Sequence, residues 1–318
     1  MRSFLALCIA AALSSGVSAD CDACLDGQCY RTHLLPGVKG TKADIDRNTN
    51  TLYVIDERRY RLKQCDLDTA TCSDTALQLN ISSVAVDQRT GDIYGSVYGA
   101  RGIYKLDLIN NKTFLLSHDG IVGHMAFKDK LYYCKMDAYG IFTLERGGTS
   151  RLIAGLEKEL LFYIFVDKKG DIYYSDDENK HVLRSPNYAL DLTHSWDIYF
   201  YVSVDKNGDA VFINWYTNAV YRVINREMVE IGAIAMPIHD FNPMFDRDNN
   251  LVYTTDDKKH YHLKRDSNSQ CKITDVFSII EVINGASAKP SVLSLPIMFI
   301  FPYLSYLLSK HPWTSFSC

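Results

Sequence analysis

One pattern recurs six times along this 318-residue chain at a spacing near 40 residues, and few folds accept such a repeat. Each copy reads as a short apolar strand ending near an Asp, a polar turn, a second strand centred on Tyr or Phe, and a third strand closing on a basic residue. The copies are ADIDRNTNTLYV (43–54), VAVDQRTGDIYG (84–95), MAFKDKLYY (125–133), IFVDKKGDIYY from Ile164, VSVDKNGDAVF from Val202 and PMFDRDNNLVY from Pro243. Their anchor positions, Asp46, Asp87, Lys128, Asp167, Asp205 and Asp246, fall at intervals of 41, 41, 39, 38 and 41 residues. The third copy departs from the others: its turn is shorter, and Lys128 stands where they have Asp.

Alternating apolar and polar residues over short runs, bounded by Asp, Asn and Gly, mark antiparallel strands and tight turns. Helical periodicity is hard to find. Six four-stranded antiparallel units of this period predict an all-β, six-bladed β-propeller, in which radial repetition leaves only short protected edges. A ring must be closed, and the segment Cys29–Leu35, ahead of the first copy, is available as the outer strand of the last blade. One of Cys21, Cys24 or Cys29 can then bond Cys271 and staple the closure. Cys65 and Cys72 flank a short turn in the first blade and read as a cross-strand disulfide.

Both ends are apolar. MRSFLALCIAAALSSGVSA has the basic start, apolar run and small-residue cleavage site of a secretory signal peptide, with cleavage expected before Asp20. Secretion permits disulfides and makes Asn80-Ile81-Ser82 and Asn111-Lys112-Thr113 glycosylation acceptors. The expected organisation is a signal peptide at 1–19, a Cys-rich segment closing the ring at 20–40, the propeller at 41–283 and a hydrophobic tail at 284–318. Three readings of the tail stand: a lipid-anchor signal, a membrane segment broken by Pro296 and Pro302, or an atypical extension of a soluble domain. Membrane association is expected only through it. With 34 Lys and Arg against 38 Asp and Glu, a net charge of −4, nothing suggests a nucleic-acid partner.

The Asp-rich turns resemble the start of a calcium loop, but the twelfth position from Asp205 is Tyr216, not Glu, and no helices flank it. They read as hairpins in which Asp and Asn cap their own backbone. There is no G-x-S-x-G elbow, HExxH, Walker loop or dinucleotide fingerprint, so no catalytic residue, metal ligand or cofactor is assigned. The histidine trio His239, His260 and His262 reads as satisfied or solvent-facing.

Aligning the six inner strands is more informative. One and three residues before each anchor every side chain is apolar, as packing between blades requires. Four residues before it stand Lys42, Ser83, His124, Tyr163, Tyr201 and Asn242, all able to hydrogen-bond, and all expected near one channel mouth. A pocket follows from this row: aromatic walls from Tyr163, Tyr201, Phe241 and Trp215, with His124, Ser83 and Asn242 to orient a ligand and Lys42 to meet an anionic group.

The opening CDACLDGQCYRTHLLPGVKG and repeats such as ADIDRNTNTLYV and SVAVDQRTGDIYG, behind a signal peptide, resemble the secreted ommochrome-binding proteins of insects over roughly residues 20–283. The blades are more distantly similar to gluconolactonase-like and NHL-type six-bladed propellers. The first resemblance implies a non-enzymatic carrier in insect haemolymph for ommochromes (ommatins), flat acidic phenoxazinone pigments. The second implies an alternative, a metal-dependent lactonase or related hydrolase with an acidic residue and amide side chains around one divalent ion in the channel. Asn242 offers an amide there, and Asp44 and Asp240 lie nearby without an obvious second one.

Overall fold

A computed structural model describes residues 21–40, 42–56, 58–97, 101–145, 147–154, 161, 163–175, 179–191, 196–197, 200–214, 217–235, 243–255 and 257–271. The signal segment, the tail, and Trp215, Phe241 and Asn242 lie outside the described residues. Every regular element among those described is a strand.

The strands form six blades, each listed here from the channel outward. Blade 1 is Ala43–Asp46, Thr51–Asp56, Arg61–Asp66 and Thr71–Asp74; blade 2 is Ile81–Val86, Ile93–Val97, Ile103–Asp107 and Lys112–Ser117. Blade 3 is Val122–Phe127, Leu131–Lys135, Ile141–Leu144 and Ser150–Ala154; blade 4 is Tyr163–Val166, Ile172–Ser175, Asn179–Arg184 and Ala189–Leu190. Blade 5 is Phe200–Val204, Ala210–Asn214, Ala219–Ile224 and Glu227–Ile234. Blade 6 takes Met244–Phe245, Leu251–Thr254 and Lys259–Gln270 from the C-terminal side and Gln28–Lys39 from the N-terminal side. Inner strands touch in cyclic order, blade 6 returning to blade 1, which closes the ring.

The closure has two parts. Gln28–Lys39 runs antiparallel to Lys259–Gln270, with Thr32 opposite Leu263, so the segment expected to complete the last blade does so. Ahead of it, Ala23–Leu25 pairs with both Gln28–Lys39 and the outer strand of blade 5, fusing blades 5 and 6 into one nine-stranded sheet. The two-residue turn Asp26-Gly27 makes this hairpin possible, both residues having positive φ (49° and 70°), as a type I′ turn requires. Blade 5 accepts the extra strand because residue 232 is Gly: a Cβ there would lie 1.8 Å from the Cys24 carbonyl oxygen. Of the three candidates for Cys271, Cys24 makes the bond, while Cys21 pairs with Cys29. Cys65 bonds Cys72 directly across its hairpin. Cys134 is a free, buried thiol, pushed up to about 11 by burial.

Side-chain parity on the inner strands explains the core. Val84 and Val86 face blade 1, Met125 and Phe127 face blade 2, Ile164 and Val166 face blade 3, Val202 faces blade 4 and Phe245 faces blade 5. Positions one and three before the anchor thus pack against the preceding blade. The alternate positions face the following blade. Much of the tyrosine excess sits in the second strands, where Tyr53, Tyr132, Tyr133, Tyr173, Tyr174 and Tyr253 are all buried. Filling an inter-blade layer with such a ring contributes roughly 2–3 kcal/mol per side chain.

The anchors have a local role. Oδ1 of Asp46, Asp87, Asp167, Asp205 and Asp246 accepts the N–H two residues on, at 2.8–2.9 Å. In blades 4, 5 and 6 the same oxygen also accepts the N–H four residues on. These are self-capped hairpins, as the sequence suggests. Blade 3 has no such cap: Phe127 pairs directly with Leu131, and only Lys128–Lys130 lie between.

Candidate functional site

Inner strands of a propeller present one unpaired backbone edge to the channel, and buried N–H and C=O groups on it need partners. Here side chains, most of them from other blades, supply partners to several. Lys42 Nζ donates to the Gly123 carbonyl at 2.8 Å. Asp44 Oδ2 accepts the Val86 N–H at 2.8 Å, and its Oδ1 accepts that of Ile45 at 2.8 Å. The Gln88 amide bridges blade 1, accepting from the Arg47 N–H and donating to the Ile45 carbonyl. Arg47 reaches across the ring, Nε donating to the Phe245 carbonyl and Nη2 to that of Val204, each at 2.9 Å.

Within this frame lies a cavity of about 280 Å³, near the lower end of volumes that hold a small molecule. Polar and apolar surface share its walls about equally, the apolar part coming from Met125, Phe127, Phe165, Val166, Met244 and Phe245, with Ala126 and Ser203 between them. Around the end formed by the hairpins stand Arg47, Arg89, Lys128 and Lys206, with Gln88, Asn207 and Gly208. Asp44 is the one carboxylate lining the cavity among the described residues. Burial pushes its carboxyl up to about 6, against the lowering effect of the two N–H donors and of Arg47. Arg89 lies 5.9 Å over the Phe127 ring, which itself stacks on Tyr94 at 5.2 Å.

The residues expected to bind ligand are distributed differently. Of the described members of the row, Lys42, Ser83, His124, Tyr163 and Tyr201, only His124 lines this cavity, and Asn242 lies outside the described residues. Lys42, His124 and Tyr163 are brought together: the His124 ring meets Tyr163 edge-on at 5.3 Å, and the Lys42 charge acts on His124. Burial, reinforced by Lys42, drives the imidazole down to about 3, so it is neutral. Its Nδ1 accepts the Ile164 N–H at 3.4 Å, which places the ring proton on Nε2. A neutral His124 offers no charge to a carboxylate. Ser83 is buried, and Tyr201 packs into the core between blades 5 and 6, because its parity directs it to the following blade. The residues that the sequence reading missed stand two before the anchor (Phe165, Ser203, Met244) and in the hairpins (Arg47, Gln88, Arg89, Lys206). The first group shares the parity of the polar row, and that parity was the available signal. Asn80 and the hairpin-tip residue Asn111 are exposed, open to a glycan.

A divalent ion of the kind used by a lactonase of this architecture requires several oxygen donors. The described channel residues do not fit one. Both Asp44 oxygens are engaged by backbone N–H groups, the Gln88 amide bridges blade 1, and four cationic side chains line the same space. Cys21, Cys24 and Cys271 do bring three sulfurs within 4.8 Å of one another, but all three are in disulfides.

No protein-family model and no curated protein sequence matches this chain. Solved structures do match its fold. A gluconolactonase from Xanthomonas campestris aligns with a TM-score of 0.59 at 13% identity, over 78% of this chain and 96% of its own. Regucalcin, a calcium-binding protein from Agrobacterium tumefaciens, aligns at 0.52 and 14% identity, over 74% and 94%. A chain of a nidogen/laminin complex aligns at 0.52 and 14%, over 67% and 92%. Identities this low establish the fold and leave the activity to be argued from the site. The chain is a six-bladed propeller, and its structural neighbours include a gluconolactonase, regucalcin and a nidogen/laminin chain.

Proposed function

We propose that the protein is a non-enzymatic carrier that holds a small, flat, acidic aromatic molecule in the propeller channel. The observation that carries this reading is the cavity of about 280 Å³ with phenylalanine and methionine walls and a rim bearing four cations against one carboxylate. Aromatic and thioether surfaces suit a conjugated ring, and the rim suits its acidic groups. An ommochrome-type pigment is the ligand class to which the sequence resemblance points, and secretion into insect haemolymph with glycans at Asn80 and Asn111 belongs to the same reading. The three disulfides are compatible with an extracellular protein. The competing reading, a metal-dependent lactonase, draws support from the gluconolactonase and regucalcin folds.

Titration of the secreted protein with an ommatin separates the two. A carrier gives saturable one-to-one binding by calorimetry, unaffected by a chelator, and no turnover of aldonolactones. Absence of binding together with chelator-sensitive lactone hydrolysis would sink the carrier reading.

A further inference from the structure

We propose that Lys128 is the anion-recognition residue of the channel, and that together with Lys206 it binds a carboxylate of the ligand at the hairpin mouth. This rests on the carrier reading and names the group that sets its specificity.

At five of six repeats the anchor is a buried Asp whose oxygen caps its own turn. Blade 3 closes its hairpin over three residues, Lys128 N–H donating to the Lys130 carbonyl at 3.2 Å, and among the described residues no side chain caps this turn. The position is released from its structural duty. It carries the opposite charge, is exposed, and lines the cavity. The other rim cations are unequal. Arg47 donates to two carbonyls, and Arg89 is held by Asp87 through two contacts of 3.3 Å. The ammonium groups of Lys128 and Lys206 have no hydrogen-bond acceptor or carboxylate partner among the described residues. Two unpaired ammonium groups above apolar walls fit a carboxylate borne by a flat ring.

The test measures Kd by calorimetry for a phenoxazinone dicarboxylic acid and for its uncharged diamide, with wild type, Lys128→Asp, Lys128→Met and the remote control Lys112→Asp. Lys128→Asp restores the residue that the other blades carry, and Lys128→Met removes charge alone, so both are expected to fold. Wild type should bind the acid at least roughly tenfold more tightly than the diamide, in a salt-sensitive manner. Lys128→Asp should weaken the acid by roughly 30-fold or more, Lys128→Met by less, and neither should change diamide binding. Acid binding unchanged in Lys128→Asp, or equally weakened in Lys112→Asp, overturns the assignment while the carrier reading survives. Wild type binding neither compound overturns the carrier reading itself.

Discussion

Removing the bond between Cys24 and Cys271 should cost the fold more than removing either of the other disulfides. The perturbation is the double substitution Cys24→Ala/Cys271→Ala, which leaves neither partner behind as an unpaired thiol. The bonded residues are 247 positions apart, whereas Cys65 and Cys72 are 7 apart and Cys21 and Cys29 are 8 apart. In the chain-entropy description a cross-link stabilises by restricting the unfolded chain, as the logarithm of the loop it closes. A loop of 247 residues gives about 5.5 kcal/mol at 25 °C and one of 7 gives about 2.4 kcal/mol, a difference of about 3 kcal/mol. For a domain of this size the larger loss corresponds to a fall in Tm of roughly 10–20 °C. Guanidinium unfolding, with free energies from linear extrapolation, compares this variant with Cys65→Ala/Cys72→Ala. The Gln28–Lys39 strand still pairs with blade 6 after the substitution, so the native ring should persist, and a wild-type circular dichroism spectrum at low temperature should be retained. A loss no larger than that of the Cys65/Cys72 variant would show that the bond does not act as the long-range closure of the ring.

Two further perturbations concern buried acids. Burial alone would raise the Asp246 carboxyl, but the bonds from His262 at 2.9 Å and from Asn250 hold it below the ordinary value. Its contribution to stability is therefore complete above about pH 4 and is lost as pH falls below that. Asp246→Ala, which strands His262 and the turn N–H groups, should cost about 3–5 kcal/mol at pH 7 in denaturant unfolding. Asp44 has the opposite sign, its pKa raised to about 6 by burial, so the folded state holds that proton more tightly than the unfolded chain and stability falls as pH rises from about 4 to 6. Once ionised it also repels an anion in the cavity. Affinity for an acidic ligand should then rise as pH falls from 7 to 5, and Asp44→Asn should remove most of that rise, read by titration at each pH. A pH profile unchanged in Asp44→Asn would remove Asp44 from the account.

The fold was legible in the sequence because a repeat imposes the same demands six times. The apolar rows flanking each anchor and the Asp-capped turns are each determined within a single copy, and aligning copies makes them visible. The closing strand was legible too, since a blade lacking its fourth strand must take one from the other end of the chain. The partner of Cys271 was not. Cys21, Cys24 and Cys29 lie within nine residues, and the sulfurs of Cys21, Cys24 and Cys271 come within 4.8 Å of one another. Only the pairing of Ala23–Leu25 with both blades, permitted by Gly232, decides among them.

The site was less legible for a related reason. A polar row on the inner strands invites interpretation as a ligand pocket, yet the channel-facing backbone edge makes its own demand for polar side chains. Lys42, Asp44 and His124 each answer an N–H or C=O of another blade. Polarity at these positions is therefore required by the ring itself and carries little information about a ligand. The discriminating positions are those released from that duty. The apolar members of the row two before the anchor are one set: Phe165 and Met244 answer no edge N–H or C=O, but they also pack between blades, so only the surface they turn to the channel bears on a ligand. Lys128 is the other. In a repeat protein a residue that breaks a structurally enforced pattern, where the local backbone has been rebuilt to tolerate the break, is the place where the sequence is least constrained by folding. Selection for ligand recognition can act there without cost to the ring, and a charge inverted at such a position is a stronger indication of a site than any number of polar residues that the architecture already needs.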